Sequence, residues 1–523
     1  MMLVDRRRFL TSAGTLAAST ALSAGILRGA GAASKIGDNG VHYRSARDLA
    51  AALAARKVSS AELVDLAIAR IEARDGKLNA VVVRDFERAK LAAQEADKAL
   101  ARGEKRPLLG VPVTVKESFN VAGLATTWGI PAGKSFQPRE DALAVQRLKA
   151  AGAIVLGKTN VPLMLADFQS YNEIYGTTNN PWDITRTPGG SSGGAAASLA
   201  AGFIPLELGS DIGGSLRNPA HFCGVFAHKP SYGLVPGRGH TPPGGPAIPY
   251  EVDLAVIGPM ARTAADLELV LEILAGPDEP QATAYRVALP DSRQRELKNF
   301  RVLVINEHPL LPTSRDVRGA LDRMVEKIGN IGAKISRSSP LAPDLALQGR
   351  TYTRLLMSVF GTDLPENVYL RFQDVAKSIP STDTSLASER VRGFVTSHRD
   401  WMKADRVRAG LAQRWHELFR EFDVVLCPIM PTTAFPHDHS DMATRRIVVD
   451  GQDVRYDDQT MWAGVATLTG LPATTMPIGL SEGGLPIGMQ IVGPYLEDRT
   501  PLAFAALAER EFGGFTPPPG YAG

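Results

Sequence analysis

Thr187-Pro188-Gly189-Gly190-Ser191-Ser192-Gly193-Gly194 and Gly209-Ser210-Asp211-Ile212-Gly213-Gly214-Ser215-Leu216-Arg217-Asn218-Pro219 are two serine clusters set among glycines. Ser191 and Ser215 stand 24 residues apart, and the run between them, Ala195 to Leu208, is apolar and rich in Ala. Glycine is used where the backbone takes unusual dihedrals or comes close to another group. Serines among such glycines expose both hydroxyls and backbone N–H groups, a combination suited to covalent catalysis beside an anion-binding backbone. Flexible Gly/Ser linkers share the composition, but they do not usually flank a helix-like apolar run inside a folded region.

Upstream, Leu109-Gly-Val-Pro-Val-Thr-Val-Lys116-Glu117 places Val111, Val113 and Val115 at spacing two, which predicts a buried strand ended by Lys116. A lysine there either snorkels to the surface or pairs with Glu117, or else is buried for a purpose. Before this strand, two helices are predicted between Ser45 and Arg74, the second opened by a Ser59–Glu62 capping box. A strand over 79–83 and a helix over 86–102 follow. After it come a helix over 142–150, a strand over 154–157 and a short helix over 162–168 with Pro162 at its start. This alternation, continuing through residue 275, indicates an α/β fold whose largely parallel or mixed sheet carries helices on both faces.

Residues 233–249 are dense in Pro and Gly and read as a long loop at the rim of a site. Strands over 300–305 and 334–337 flank a helix over 316–331 as a β-α-β unit. Residues 340–415 read as helical, with Tyr352, Leu355, Leu356, Phe360, Tyr369 and Phe372 supplying core for the most part, or a pocket lining. A strand over 422–427, a helix over 461–471 and closing strands over 473–477 and 486–492 complete the chain.

Composition bounds the rest. At 523 residues, 44% hydrophobic and 22% charged, the chain has ordinary globular material. Cys223 and Cys427 make neither a disulfide framework nor a metal cluster and are expected as buried thiols. His437-Asp438-His439 is too sparse for a metal site, and no nucleotide-binding or zinc spacing occurs.

The first 32 residues differ from the remainder of the chain. Arg6-Arg7-Arg8-Phe9-Leu10 precedes an uncharged, weakly apolar stretch ending near Ala30-Gly31-Ala32, a small-residue cleavage pattern. Arg6-Arg7-x-Phe9-Leu10 resembles a twin-arginine export signal. Its four arginines and one aspartate account for the whole net charge of +3, so the mature chain is neutral and has no nucleic-acid-binding stripe. The expectation is a cleaved signal over 1–32, a mature domain over 33–523, and a periplasmic or secreted protein without a stable membrane anchor.

Two nucleophiles compete. Gly189-Gly190-Ser191-Ser192-Gly193 fits G-x-S-x-G, the elbow of an α/β-hydrolase esterase using a histidine, but Asp183 to Pro188 is a poor strand to precede it. Alternatively Ser215 is the nucleophile, and Asp211-Ile212-Gly213-Gly214-Ser215 offers successive unobstructed N–H groups for an oxyanion. Ser215 then needs a base, for which Lys116 and Ser191 remain.

Here the chain resembles the amidase signature hydrolases. The resemblance rests on Val111 to Glu117, Thr187 to Gly194, Gly209 to Arg217, Phe222-Cys-Gly224, Lys229-Pro230 and Leu468 to Ala473, and it spans about residues 43–512. It implies a single α/β domain with a mixed sheet of about eleven strands. Within it the core motifs occupy 109–275, a variable helical region about 340–415, and a closing segment 420–512. It implies a triad of Lys116, Ser191 in a cis peptide, and Ser215, with the N–H groups of Ile212, Gly213, Gly214 and Ser215 as oxyanion hole. Ser192, Asp211 and Arg217 are expected in support. By motif position Trp128, Leu165, Phe168, Ile429 and Met430 approach the acyl group, whose character should be apolar or aromatic.

The physical chemistry suits these roles. A neutral Lys116 can take the Ser215 proton through Ser191. Bringing a lysine from its usual pKa of ~10.4 towards neutrality costs roughly 4 kcal/mol, which burial at the strand end supplies. The expected reaction is hydrolysis of a carboxylic amide to the acid plus ammonia or an amine, with no cofactor and no metal. Many members dimerise, so a homodimer is possible. A glutaminyl-tRNA amidotransferase subunit shares the fold but works in the cytoplasm, and a catalytically dead amide-binding protein would not need all three triad positions.

Overall fold

The structure, a computed structural model, describes residues 41–522; the expected signal over 1–32 lies outside them. Eleven strands form one sheet. In chain order they are β1 (Val81–Arg84), β2 (Pro112–Lys116), β3 (Ile154–Thr159), β4 (Leu206–Asp211), β5 (Phe226–Lys229), β6 (Val256–Ala261), β7 (Arg301–Val304), β8 (Lys334–Ser336), β9 (Val424–Pro428), β10 (Ala473–Leu480) and β11 (Pro486–Val492). Their spatial order is β1-β3-β2-β4-β6-β5-β10-β11-β9-β7-β8.

The sheet is mixed in a regular way. β3, β2 and β4 are mutually parallel, as are β9, β7 and β8, and antiparallel strands join the two blocks. Both faces are covered, as side-chain alternation requires. Along β3, Val155 enters one hydrophobic cluster while Ile154 and Leu156 enter another. Along β9, Val424 and Leu426 face one cluster, and Val425 and Cys427 face a third.

The helices fill these clusters through their apolar stripes. Helix Phe86–Ala101 buries Ala89, Ala93, Ala96 and Ala99, a spacing of three to four that lies on one face. Helix Ser60–Arg74 starts where the capping box places it, with Ser59 Oγ accepting from the Glu62 N–H at 3.1 Å. Helices Leu345–Phe360, Glu366–Ser378, Leu386–Phe394 and His398–Glu421 make up the predicted helical region. No helix among the described residues is long and apolar enough to cross a membrane.

Three differences from the sequence reading matter. Pro162 to Phe168 is not a helix but a single 3₁₀ turn, Leu163–Leu165, with Met164 and Leu165 at φ of 52° and 60°. β6 runs through the middle of the sheet although it contains Gly258 and Pro259. Its ladder to β5 reaches only Met260 and Ala261, so the Pro259 nitrogen is not called on there. A small hairpin, Arg446–Val449 with Gln452–Arg455, was not foreseen in the loop after β9.

Candidate active site

Lys116 is the last residue of β2 and Asp211 the last of β4, its parallel neighbour, so both emerge at the carboxyl end of one block. The chain after β4 turns through Ile212 to Leu216 and enters helix Arg217–Cys223. Ser191 stands just before helix Gly193–Ala200, which packs closely on neighbouring backbone. A Cβ on Gly194 would lie 2.4 Å from the Asn160 nitrogen. The Gly190–Ser191 peptide is cis. Gly190 has no room for a side chain either, since its Cβ would fall 2.3 Å from the Asp167 carbonyl oxygen. The end of the 163–168 segment thus lies against the glycine loop.

Lys116 Nζ lies 2.6 Å from Ser191 Oγ and 3.0 Å from Ser210 Oγ. The lysine is 0% exposed. Burial lowers its pKa to about 7, against the opposing pull of Asp211 and Glu207. Beneath it Glu207 accepts from Thr114 Oγ1 at 2.6 Å and from the Leu208 N–H at 3.0 Å, and burial pushes its carboxyl up to about 8. Burial thus works against the charged form of both groups.

Asp211 organises the turn that carries Ser215. Its carboxylate accepts from the N–H groups of Gly214 (2.9 Å), Leu216 (3.1 Å) and Arg217 (3.4 Å). Arg217 clamps the same carboxylate and also reaches the Ala463 carbonyl, Thr467 Oγ1 and Gln490 Oε1. Burial alone would raise the Asp211 pKa, but Arg217 outweighs it and holds it at about 2. The Gly214 N–H is thereby committed to Asp211. The N–H groups of Ile212, Gly213 and Ser215 make no hydrogen bond among the described residues. Of the four expected oxyanion donors, three are free. Ser192 donates its N–H to the Ser215 carbonyl at 3.2 Å.

Ser215, 7% exposed, opens with Ile212 and Gly213 into a cavity of about 800 Å³. Its walls are mainly apolar, with Leu356, Phe360, Phe372, Val391 and Phe394 from the helical region. Charged groups on the wall are largely paired: Arg390 with Asp458 at 2.5 Å, Asp167 with Arg445 and Tyr456. A cavity of this size and polarity accommodates a large, mostly apolar ligand.

The expected pocket residues divide. Leu165 and Phe168 line the cavity. Ile429 and Met430 do not; they are buried with Phe222 and Ala434 in a cluster against which Phe168 packs. Trp128 is not among the lining residues either; its Nε1 donates to the Ser118 carbonyl at 2.9 Å and its ring lies 5.0 Å from that of His240. His240 itself sits 2.9 Å from Ser118 Oγ, held near pKa 3 by burial and by the charge of Lys116. Among the described residues no histidine hydrogen-bonds Ser191, whose partner is Lys116, so the G-x-S-x-G match does not build a Ser-His site.

Sequence reasoning missed Ser210, Glu207 and His240, and it favoured core over pocket lining for the helical region that supplies Leu356, Phe360 and Phe372 to the wall. Ser210 stood inside the quoted glycine run, and its position beside Asp211 was the available signal. Cys223 and Cys427 are both free and buried, and no cluster among the described residues could hold a metal ion.

Comparisons with known proteins bear on the family and the fold. The family described as Amidase matches residues 62–502. The chain is 32% identical over 514 residues to the A subunit of the glutamyl-tRNA(Gln) amidotransferase from Anaeromyxobacter sp. (strain K), covering 90% of this chain and 97% of the relative. A solved structure from work on a vestigial protein complex and the origins of an s-triazine catabolic enzyme is 27% identical, with a TM-score of 0.75 over 90% of this chain and 99% of that one. A bacterial aryl acylamidase of the amidase signature family has a TM-score of 0.74 over 90% and 97% of the two chains; at 22% identity that likeness concerns the fold.

Proposed function

The chain belongs to the amidase family, a hydrolase acting on carbon–nitrogen amide bonds, and from that premise we propose that it is an exported amidase in which Ser215 is the nucleophile, Ser191 the relay and Lys116 the base. The observation that carries the reading is the 2.6 Å approach of a fully buried Lys116 to Ser191, beside the cavity that Ser215 opens into.

In this mechanism Ser215 Oγ attacks the amide carbonyl. Its proton passes to Ser191 Oγ as the Ser191 proton passes to Lys116 Nζ. The carbonyl oxygen becomes an oxyanion facing the N–H groups of Ile212, Gly213 and Ser215, where preorganised donors are worth most. Lys116 then returns a proton through Ser191 to the nitrogen. The C–N bond breaks, and ammonia or an amine leaves. Water, deprotonated along the same route, attacks the acyl-enzyme and releases the acid and Ser215. The residues do this chemistry with side chains and backbone alone.

The apolar cavity supports a substrate whose acyl part is bulky and largely uncharged. Export rests on the twin-arginine-like pattern Arg6-Arg7-x-Phe9-Leu10 and the small residues near Ala32. Purified mature chain, offered a fluorophosphonate probe and a panel of simple amides, should be labelled at Ser215 and should turn over the amides; neither labelling nor turnover would defeat the reading. A second reading is favoured by the curated relatives' name: one component of an amidotransferase complex, acting only within it. Turnover only on addition of the other components would select it. Cell fractionation of a tagged chain, with and without Arg6→Lys and Arg7→Lys, tests export: retention of the intact chain inside the cell in both cases would remove that part.

A further inference from the structure

This inference rests on Ser215 as nucleophile and concerns how its oxyanion donors are aimed. Asp211 holds the turn from below through the N–H groups of Gly214, Leu216 and Arg217. None of these bonds acts on the Ile212–Gly213 peptide. Ile212 packs its side chain on the core at one end of that peptide, while at the other end Gly213 and Gly214 carry no side chain to restrain it.

The restraint comes from another element. Tyr352, on helix Leu345–Phe360, donates its hydroxyl to the Ile212 carbonyl at 2.7 Å. The Ile212–Gly213 bond is not among the cis peptides. In a planar trans peptide the C=O and the N–H point in opposite directions. Fixing the Ile212 carbonyl towards Tyr352 therefore turns the Gly213 N–H away from it. Gly213 lines the cavity beside Ser215. A carbonyl that accepts a hydrogen bond also makes the N–H of its own peptide a stronger donor.

We infer that Tyr352 is a positioning residue of the oxyanion hole, aiming and polarising the Gly213 N–H at the tetrahedral intermediate. The side chain is held for that task. Its ring is fully buried, and Gly464 lies so close that a Cβ there would be 2.6 Å from Tyr352 Cδ1. Burial pushes the phenol well above its ordinary pKa, with Arg217 pulling the other way, so the hydroxyl stays a donor at any working pH. Along the same helix Leu356 and Met357 form cavity wall. The element that meets the acyl group is thus the one that sets the oxyanion donor.

Tyr352→Phe tests this, since it keeps the ring and removes only the hydroxyl. The expected result is a kcat lowered about 10- to 100-fold with KM within about twofold, less than the loss of a whole oxyanion donor. A trifluoromethyl ketone carrying the preferred acyl group, which forms an oxyanion adduct, should lose affinity by the same factor. The corresponding secondary trifluoromethyl alcohol, which has no carbonyl, should bind as before. Wild-type kcat and wild-type ketone affinity in Tyr352→Phe would overturn the inference. So would equal losses for ketone and alcohol, which describe a general packing role. Ser215→Ala is the control: if it stays active, the proposed nucleophile fails first. If it is inactive while Tyr352→Phe is unimpaired, only the present inference fails. Should Tyr352→Phe not fold, Gly464→Ala, which presses on the ring and displaces the hydroxyl, must show the same split between ketone and alcohol; its absence overturns the inference equally.

Discussion

Arg217 and Asp211 meet through two hydrogen bonds, Nη2 to Oδ1 at 2.8 Å and Nε to Oδ2 at 3.0 Å, with side chains 1% and 0% exposed. Asp211 in turn holds three N–H groups of the turn bearing Ser215. A buried pair of this kind contributes little net stability against an apolar replacement of both partners, but breaking it from one side leaves a bare charge inside.

Arg217→Met should therefore destabilise the fold by about 3–5 kcal/mol and reduce turnover together with it, as read by urea unfolding and by initial rates. The pH dependence follows from the depressed Asp211 pKa of about 2. The stability it contributes is fully present above the ordinary carboxylate range near 4 and is lost as pH falls towards 2. Wild type should lose stability steeply in that window, and Arg217→Met much less so.

Lys116 gives a second pH signature. With its pKa lowered to about 7, the neutral form needed by a base grows in as pH rises through 7. Log kcat/KM should climb with unit slope below that point and level off above it. A plateau already reached at pH 5 would exclude Lys116 as the titrating base. The unfolded lysine holds its proton up to ~10.4, so its burial costs stability at and below pH 7, and the cost is relieved as pH rises from 7 to ~10.4. Lys116→Met should accordingly be inactive yet more stable at pH 7, by about 1–3 kcal/mol after the loss of two serine contacts. A destabilised Lys116→Met would contradict this.

Ser191 carries protons in both directions, and an amide makes the heavier demand, since its nitrogen must be protonated to leave. Ser191→Ala should lower kcat for amides by about 10²–10⁴ and for the matching ester by at least tenfold less. Comparable losses on both substrates would mean that Ser191 does not deliver the leaving-group proton. The melting temperature should change little.

The cavity predicts chain-length discrimination. Each methylene buried against Leu356, Phe360 and Phe394 should raise kcat/KM about fourfold until the space is full. Val391→Trp, which places an indole in the wall, should lower kcat/KM for long acyl amides about 100-fold and leave acetamide-sized substrates near wild type. A flat response to chain length in wild type would remove the cavity from the binding site.

How far the chain could be read depended on whether the signal was local. β2 was legible because Val111, Val113 and Val115 alternate and Lys116 ends the run. The Ser215 turn was legible because Asp211-Ile-Gly-Gly-Ser has a chemical meaning at its own spacing. The 163–168 segment departs from a helix at Met164 and Leu165, whose positive φ no local propensity announces. Trp128, Ile429 and Met430 were assigned to the pocket by position in a motif, which fixes the neighbourhood but not the direction of a side chain. Gly258 and Pro259 hide β6 in the sequence, although it pairs with β4 along its whole length. Tyr352 looked like any aromatic in an amphipathic helix, and nothing near it in sequence marks the Ile212 carbonyl as its partner.

The register of β2 on β4, with Val113 opposite Leu206, Thr114 opposite Glu207 and Val115 opposite Leu208, has a consequence for how a preparation should be judged. The two strands are joined by a crossover of about ninety residues, a long-range closure of the kind that forms late. A slip of one residue would turn Lys116 to the opposite face and away from Ser191. A slipped molecule would be inert, because Lys116 could no longer reach Ser191. Active-site titration, not protein concentration, is therefore the proper denominator for every rate measured on this enzyme. A poor batch should show fewer titratable serines at an unchanged turnover per serine.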